Sequence, residues 1–166
     1  MGAFTPYKNV ECVIDAVALV PNTTLHLLGK MPPIRRIEIE QRLREKGIAN
    51  RTIIYDGATD DQYREALAES RCAISASRLE GFGLPLIEAQ QAGVPFVAAD
   101  TPIFHEIGQD SVLYFDPDDP EQAAVHIQTL ANPQISKEYT QKGRKNAARY
   151  TWQASATQAT TIINRL

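Results

Sequence analysis

Near the middle of the chain stands Glu80-Gly81-Phe82-Gly83-Leu84-Pro85-Leu86-Ile87-Glu88. The apolar run at residues 72–76 ahead of it is short, flanked by polar residues and followed by the Gly-Phe-Gly turn. A buried strand that ends in a crevice reads that way. Pro85 then marks a helix start, because its missing N–H has no intrahelical partner in a first turn and its fixed φ suits the helix. Glu80 is therefore expected on the loop and Glu88 one turn into the helix. Gly81 and Gly83 let backbone approach a ligand closely, and the free N–H groups of the helix end favour an anion there. Glu88 cannot neutralise a phosphate, but its carboxylate can accept hydrogen bonds from two hydroxyls, as a ribose diol offers.

Outward from this stretch the chain alternates. Residues 9–20 carry Val10, Val13, Ile14, Val17 and Val20, the spacing of a helix with one buried face, with Asn9 placed to cap it. Lys8 stands just ahead of that helix, where a cation and backbone N–H groups can hold a phosphate; the plain alternative is a surface lysine. An apolar run at 24–28 ends at Gly29, and a helix at 34–46 ends at Gly47. Gly29-Lys30 lacks the other residues of a phosphate loop and reads as a strand-end turn. A strand at 52–55 stops at Asp56-Gly57, and Thr59 with Gln62 forms a capping box for a helix reaching Ser70. Strands at 95–99 and 112–115 follow, with His105 between them. Helices at 120–130, 136–150 and 152–166 close the chain. The rhythm predicts an α/β fold of a single domain, a doubly wound parallel sheet of Rossmann-like kind. Residues 1–4 leave room for only a truncated opening strand. In such a sheet ligands bind beyond the carboxyl ends of the strands. Lys8, the loop after Tyr55, Glu80 and the Gly-Phe-Gly turn all follow predicted strands and converge on one rim.

The ordered motifs resemble those of the retaining glycosyltransferases of the GT-B fold, family 4 type, in their C-terminal, nucleotide-sugar-binding half. Glu80-x7-Glu88 with its internal Gly-Phe-Gly-Leu-Pro carries the resemblance, and further pieces match in order. These are Gly2-x3-Pro6-x-Lys8-Asn9, Gly93-Val94-Pro95, Thr101-Pro102-Ile103-Phe104-His105-Glu106, Tyr114-Phe115-Asp116-Pro117-x-Asp119-Pro120 and the late Trp152. The likeness covers nearly the whole chain. It implies a domain that binds a nucleoside-diphosphate sugar and that, with an N-terminal acceptor-binding domain absent from this sequence, transfers a hexose with retention to a glycan, lipid or other hydroxyl acceptor. It further implies that Lys8 and the turn amides hold the diphosphate and that Glu80 meets the sugar near its reacting carbon, the two being the catalytic candidates. Glu88 would hold the ribose hydroxyls. Gly81, Phe82, Gly83 and Leu84 would line the donor site, and the loop from Tyr55 through Gly57 would border the base. No metal or other cofactor is implied, the sugar nucleotide being a substrate. Many members carry Arg one residue after the loop glycine; here that position is Ala3. His105 and Glu106 look adjacent to the site, yet consecutive helical residues diverge by a third of a turn and form no dyad.

Composition narrows the rest. The chain has 166 residues, 43% hydrophobic and 22% charged, enough for one good core. A net charge of -3 gives no basic footprint for nucleic acid. No apolar run reaches the roughly 20 residues of a spanning helix and no signal segment follows Met1, so a cytoplasmic domain is expected, touching a membrane only through the absent half. Cys12 and Cys72 lack metal-like spacing and read as small buried hydrophobes. The basic run Lys137, Lys142, Arg144, Lys145 and Arg149 reads as a solvated face. His26, inside its strand, reads as a packed or half-exposed histidine.

Rival readings leave marks that can be checked. A nicotinamide or flavin site needs a third glycine and an acid further on, and neither is present. Nothing in the spacing opposes Glu80 to Glu88 across a bond, as glycosidase carboxylates must be. A receiver-like domain needs an aspartate pair after the first strand. A non-catalytic nucleotide or sugar-nucleotide module remains the alternative to a transferase, because a fold alone does not exclude it.

Overall fold

The computed structural model describes residues 4–164. Most of the expected opening strand, with Gly2 and Ala3, and the last two residues of the expected final helix lie outside them. A 3₁₀ turn at Pro6–Lys8 leads into α1 (Val10–Ala18). Then follow β1 (Leu25–Gly29), α2 (Pro33–Glu45), β2 (Thr52–Asp56), α3 (Asp60–Glu69), β3 (Ala73–Ser75), α4 (Leu84–Gln91), β4 (Phe96–Ala99), α5 (Pro102–Gly108) and β5 (Val112–Phe115). Three helices close the chain: α6 (Pro120–Thr129), α7 (Pro133–Ala147) and α8 (Trp152–Ile163).

All pairings are parallel, β1 with β2, β3 with β4 and β4 with β5. The helices cover both faces because alternate residues of one strand enter different cores. Val97 and Phe115 pack with α1, α2 and α6, whereas Phe96, Ala98 and Val112 pack with α4 and α5. All four residues of β4 are consequently buried, which is why Phe96-Val97-Ala98-Ala99 reads as an uninterrupted apolar run. Phe96, Phe104 and Phe115 are fully buried, each worth about 1.5–3 kcal/mol of transfer free energy.

The expected sheet is present as two ladders rather than one. Its order is β1-β2 in one and β3-β4-β5 in the other. The facing edges of β1 and β3 border a cleft of about 130 Å³, lined by Leu25 to Leu28 on one side and Ala73 to Ala76 on the other. Val10, Val13 and Val17 of α1 form one wall and Ala66 and Leu67 of α3 the other. Phe4 stands at its end, its N–H directed at the Lys30 carbonyl at 3.4 Å. Among the described residues no strand pairs with the inward edge of β1 or of β3.

Local expectations hold in detail, with two exceptions. The Thr59–Gln62 capping box is present with both reciprocal hydrogen bonds. Asn9, however, does not cap α1 with its side chain. It takes a left-handed φ of 50°, and its Nδ2 donates instead to the Pro117 carbonyl at 2.8 Å, tying the start of α1 to the loop after β5. Helix α7 begins three residues earlier than the 136–150 reading, because Asn132 is its cap, accepting from Gln134 and Ile135 N–H, and Pro133 is its first residue. Trp152, the first residue of α8, is 86% exposed.

A buried polar lock fixes α4. Gln90, 1% exposed, donates to Ser111 Oγ at 2.7 Å and accepts from Asn146 Nδ2 at 2.8 Å, while Asn146 also donates to the Ile107 carbonyl. Asn146→Ala leaves the Gln90 carbonyl oxygen buried and unpaired. It should lower unfolding free energy by about 1–3 kcal/mol, read from urea midpoints, and an unchanged midpoint would show that the lock does not hold α4.

Candidate functional site

The crossovers deliver their loops to one rim, beyond the carboxyl ends of the strands, and two loops meet there directly. The loop before α1 and the loop after β3 are joined by a backbone bond, Arg78 N–H to the Tyr7 carbonyl at 2.9 Å. The loop after β5 is drawn in beside them by Asn9 and by the Arg78 guanidinium on the Asp118 carboxylate at 2.5 and 3.0 Å. Ser77, wholly buried, donates to the Leu79 carbonyl at 2.8 Å and shapes the run into Glu80.

That arrangement puts Lys8 against Glu80. Lys8 Nζ lies 2.7 Å from Glu80 Oε1, with side chains 19% and 11% exposed. The two are thus in direct contact, because the Tyr7–Arg78 bond holds their backbones together. An ammonium has three N–H donors, and one is spent on Glu80. The others remain for an incoming anion.

The Gly-Phe-Gly turn starts α4 in a way the sequence indicates only in part. Gly83 is the cap residue with φ of 81°, and a Cβ there would sit 3.3 Å from the Phe104 ring. Gly81 has no such constraint and faces open space. Pro85 is the second helical residue and carries no N–H, and Leu86 N–H is used by the Gly83 carbonyl at 2.9 Å. The donors offered by this turn are therefore the amides of the Gly81–Leu84 segment rather than those of the helix interior. Phe82 sets its ring edge-on to Tyr150 at 5.5 Å, while Leu84 is exposed.

Glu88 is one turn into α4, as expected, and is not free. Its Oε2 accepts from the Tyr63 hydroxyl at 2.7 Å. Burial, and then this hydrogen bond to a carboxylate, push the Tyr63 phenol well above its ordinary pKa, so it stays protonated and donating. Tyr63 also lines a second cleft, with Gly29, Lys30, Gly57, Ala58 and Asp60, at the carboxyl ends of β1 and β2. Sequence reasoning assigned this residue nothing. Its position just after the Thr59–Gln62 box could have placed it at the rim-facing start of α3, but only the coordinates bring it to Glu88.

The remaining candidates divide. Gly57 lines the second cleft, whereas Tyr55 is not among its lining residues. The Tyr55 ring stacks on His26 at 5.8 Å along the β1–β2 ladder. His105 pairs not with Glu106 but with Asp100, Nε2 to Oδ1 at 2.7 Å, and stacks on Tyr114 at 4.0 Å. Thr5 and Thr101, preceding the 3₁₀ turn and α5, each bury a hydroxyl with no protein partner. Both thiols are pushed up to about 11, in each case chiefly by burial, so neither is a nucleophile at neutral pH. Among the described residues no group of three His, Cys, Asp or Glu is placed to hold a metal ion, and no helix is long and apolar enough to cross a membrane.

Parallel strands under two helical layers, with acids and a lysine on the carboxyl rim, define a Rossmann-like domain with a charged rim. A model of the Glycosyl transferases group 1 family matches residues 1–149, and the chain belongs to that family. It is 30% identical over 163 residues to the O-antigen chain mannosyltransferase B of Escherichia coli, covering 95% of this chain and 43% of that protein. It is 28% identical over 172 residues to the MMP alpha-(1->4)-mannosyltransferase of Mycolicibacterium hassiacum, covering 99% and 41%. Sucrose-phosphate synthase of Thermosynechococcus elongatus superposes with a TM-score of 0.86 at 26% identity, over 99% of this chain and 44% of that one. Anabaena HepE, solved with UDP and glucose, gives 0.90 at 22% identity over 99% and 48%, a likeness of fold. The chain spans less than half the length of these relatives.

Gly83→Ala forces a left-handed φ on a side chain and crowds Phe104. It should cost about 1–2 kcal/mol of stability, measured by chemical denaturation, whereas Gly81→Ala should cost well under half of that; equal costs would contradict the roles given to the two glycines.

Proposed function

We propose that this chain binds the nucleoside-diphosphate end of a sugar donor on its rim and, as part of a longer glycosyltransferase with an N-terminal acceptor-binding domain, transfers a hexose with retention of configuration. The observation that carries the reading is the Lys8–Glu80 contact at the loop junction, with Glu88 held on the same rim. Family membership and the names of the mannosyltransferase relatives support mannose as the hexose. A relative from Xanthomonas oryzae named for GDP-mannose and HepE solved with UDP make both nucleotides the ones to test.

In this reading Lys8 keeps Glu80 as one partner and turns its remaining donors to the diphosphate, joined by amides of the Gly81–Leu84 segment. Negative charge grows on the diphosphate as the glycosidic bond breaks, so fixed donors there stabilise the transition state more than the bound donor. Glu80, held by Lys8 at a known point, stands beside the sugar, and Glu88 takes ribose hydroxyls. Phe82 and Leu84 close the apolar side of the turn.

Calorimetric titration of the chain with GDP and UDP tests the binding half. Lys8→Ala and Glu88→Ala should each weaken the preferred nucleotide by about tenfold or more, the scale of one or two hydrogen bonds to charged groups. Unchanged affinity in both variants would sink the site. Tight binding with no sugar transfer by the full-length protein would make it a binding module.

A further inference from the structure

Glu88 is held by a tyrosine that sits between the two halves of the rim. Tyr63 belongs to the first turn of α3, its N–H already bonded to the Thr59 carbonyl at 2.9 Å and its turn pinned by the capping box, so its ring starts from a rigid point. The ring borders the cleft at the ends of β1 and β2, and the hydroxyl crosses to α4, which follows β3. Tyr63 is thus the side chain that joins the rim of one ladder to the rim of the other.

We propose that Tyr63 is a specificity-determining residue, and that its hydroxyl together with the Glu88 carboxylate reads a vicinal diol of the donor's ribose. The inference rests on the reading of the rim as a sugar-nucleotide site. A carboxylate alone can accept from two hydroxyls, but here Oε2 already accepts from Tyr63, which fixes the carboxylate's direction and leaves Oε1 open. The phenolic oxygen, while donating to Glu88, keeps acceptor capacity of its own. The hydrogen bond sets the phenolic oxygen 2.7 Å from Oε2, so an acceptor of the tyrosine and an acceptor of the carboxylate stand side by side. In the proposed arrangement the ribose 3′-hydroxyl donates to Glu88 Oε1 and the 2′-hydroxyl to Tyr63 Oη. The elevated phenol pKa means that the donor half of this arrangement persists across the working pH range. Removal of either ribose hydroxyl leaves one acceptor of the pair without its ligand partner, which is how a site disfavours a deoxy ligand.

The experiment is calorimetry on the full chain, wild type and Tyr63→Phe, with GDP, UDP and the 2′-deoxy form of each. Wild type should bind the preferred ribonucleotide about tenfold more tightly than its 2′-deoxy form, one hydrogen bond's worth. In Tyr63→Phe that ratio should fall to near one, chiefly through weaker binding of the ribonucleotide. A Tyr63→Phe variant that keeps the wild-type ratio overturns the inference, and so does one that weakens both forms equally, because a purely structural tyrosine does that. Far-ultraviolet circular dichroism and the thermal midpoint of the variant establish that the comparison is between folded proteins. If the wild type binds no nucleoside diphosphate, the reading of the rim itself fails; if it binds and the ratio is insensitive to Tyr63, only the role of Tyr63 fails.

Discussion

The backbone hydrogen bond from Arg78 N–H to the Tyr7 carbonyl is the junction on which the site depends. The two ladders do not pair with each other across the β1–β3 cleft. What unites them is α1, whose buried face packs in the core that also holds Val97 and Phe115, together with the loops at the rim. Joining the loop before α1 to the loop after β3 therefore does two things at once. It closes the carboxyl end of a divided sheet, and it brings a lysine and a glutamate, 72 positions apart in sequence, to 2.7 Å.

A pair that is mostly, but not wholly, withdrawn from water has an energetic character suited to a binding site. Desolvating both charges offsets much of their mutual attraction, so the pair adds little to stability when intact. Removing one partner leaves the other facing a partly dry site. On the proposed reading, a diphosphate at Lys8 would compensate that ammonium more fully than one carboxylate does, and binding would add partners without first having to break the pair. The neighbouring Arg78–Asp118 pair is far more exposed and is worth correspondingly less. Its use is geometric, in holding the loop after β5 against the junction.

The alternation of elements was legible because each signal was local. Capping at Thr59, termination at Gly47 and the apolar run of β4 each depend on a few adjacent residues, and the structure repeats them. Asn9 misled for the same reason: a local rule made it a cap, while a long-range acceptor at Pro117 claimed its side chain. The start of α7 was missed by treating Asn132-Pro133 as punctuation when the pair is a cap followed by a first helical residue. Which strands pair was not legible, since strand pairing is a relation between distant segments. At the rim, Glu80, Glu88 and Lys8 were visible as residue types after strands, but their partners were not. Tyr63 carried no signal of its own, because a tyrosine early in an amphipathic helix is ordinary until a carboxylate is found within its reach.

Helix α4 shows how little distance separates stability from specificity here. Its eight residues span about 12 Å at 1.5 Å per residue. At one end Gly83 admits a left-handed turn beneath Phe104, freeing amides for a ligand. At the other, Gln90 is clamped by Ser111 and Asn146 inside the core. Glu88 lies between them, two residues before the clamp, so its backbone is fixed by the buried network and its side chain by Tyr63. A carboxylate held from both directions has few rotamers left to lose when a ligand binds, and the ordering cost that an exposed glutamate would meet at that moment is already met in folding. The exposed acid of the motif is in this sense placed by a buried polar network that ends two residues away.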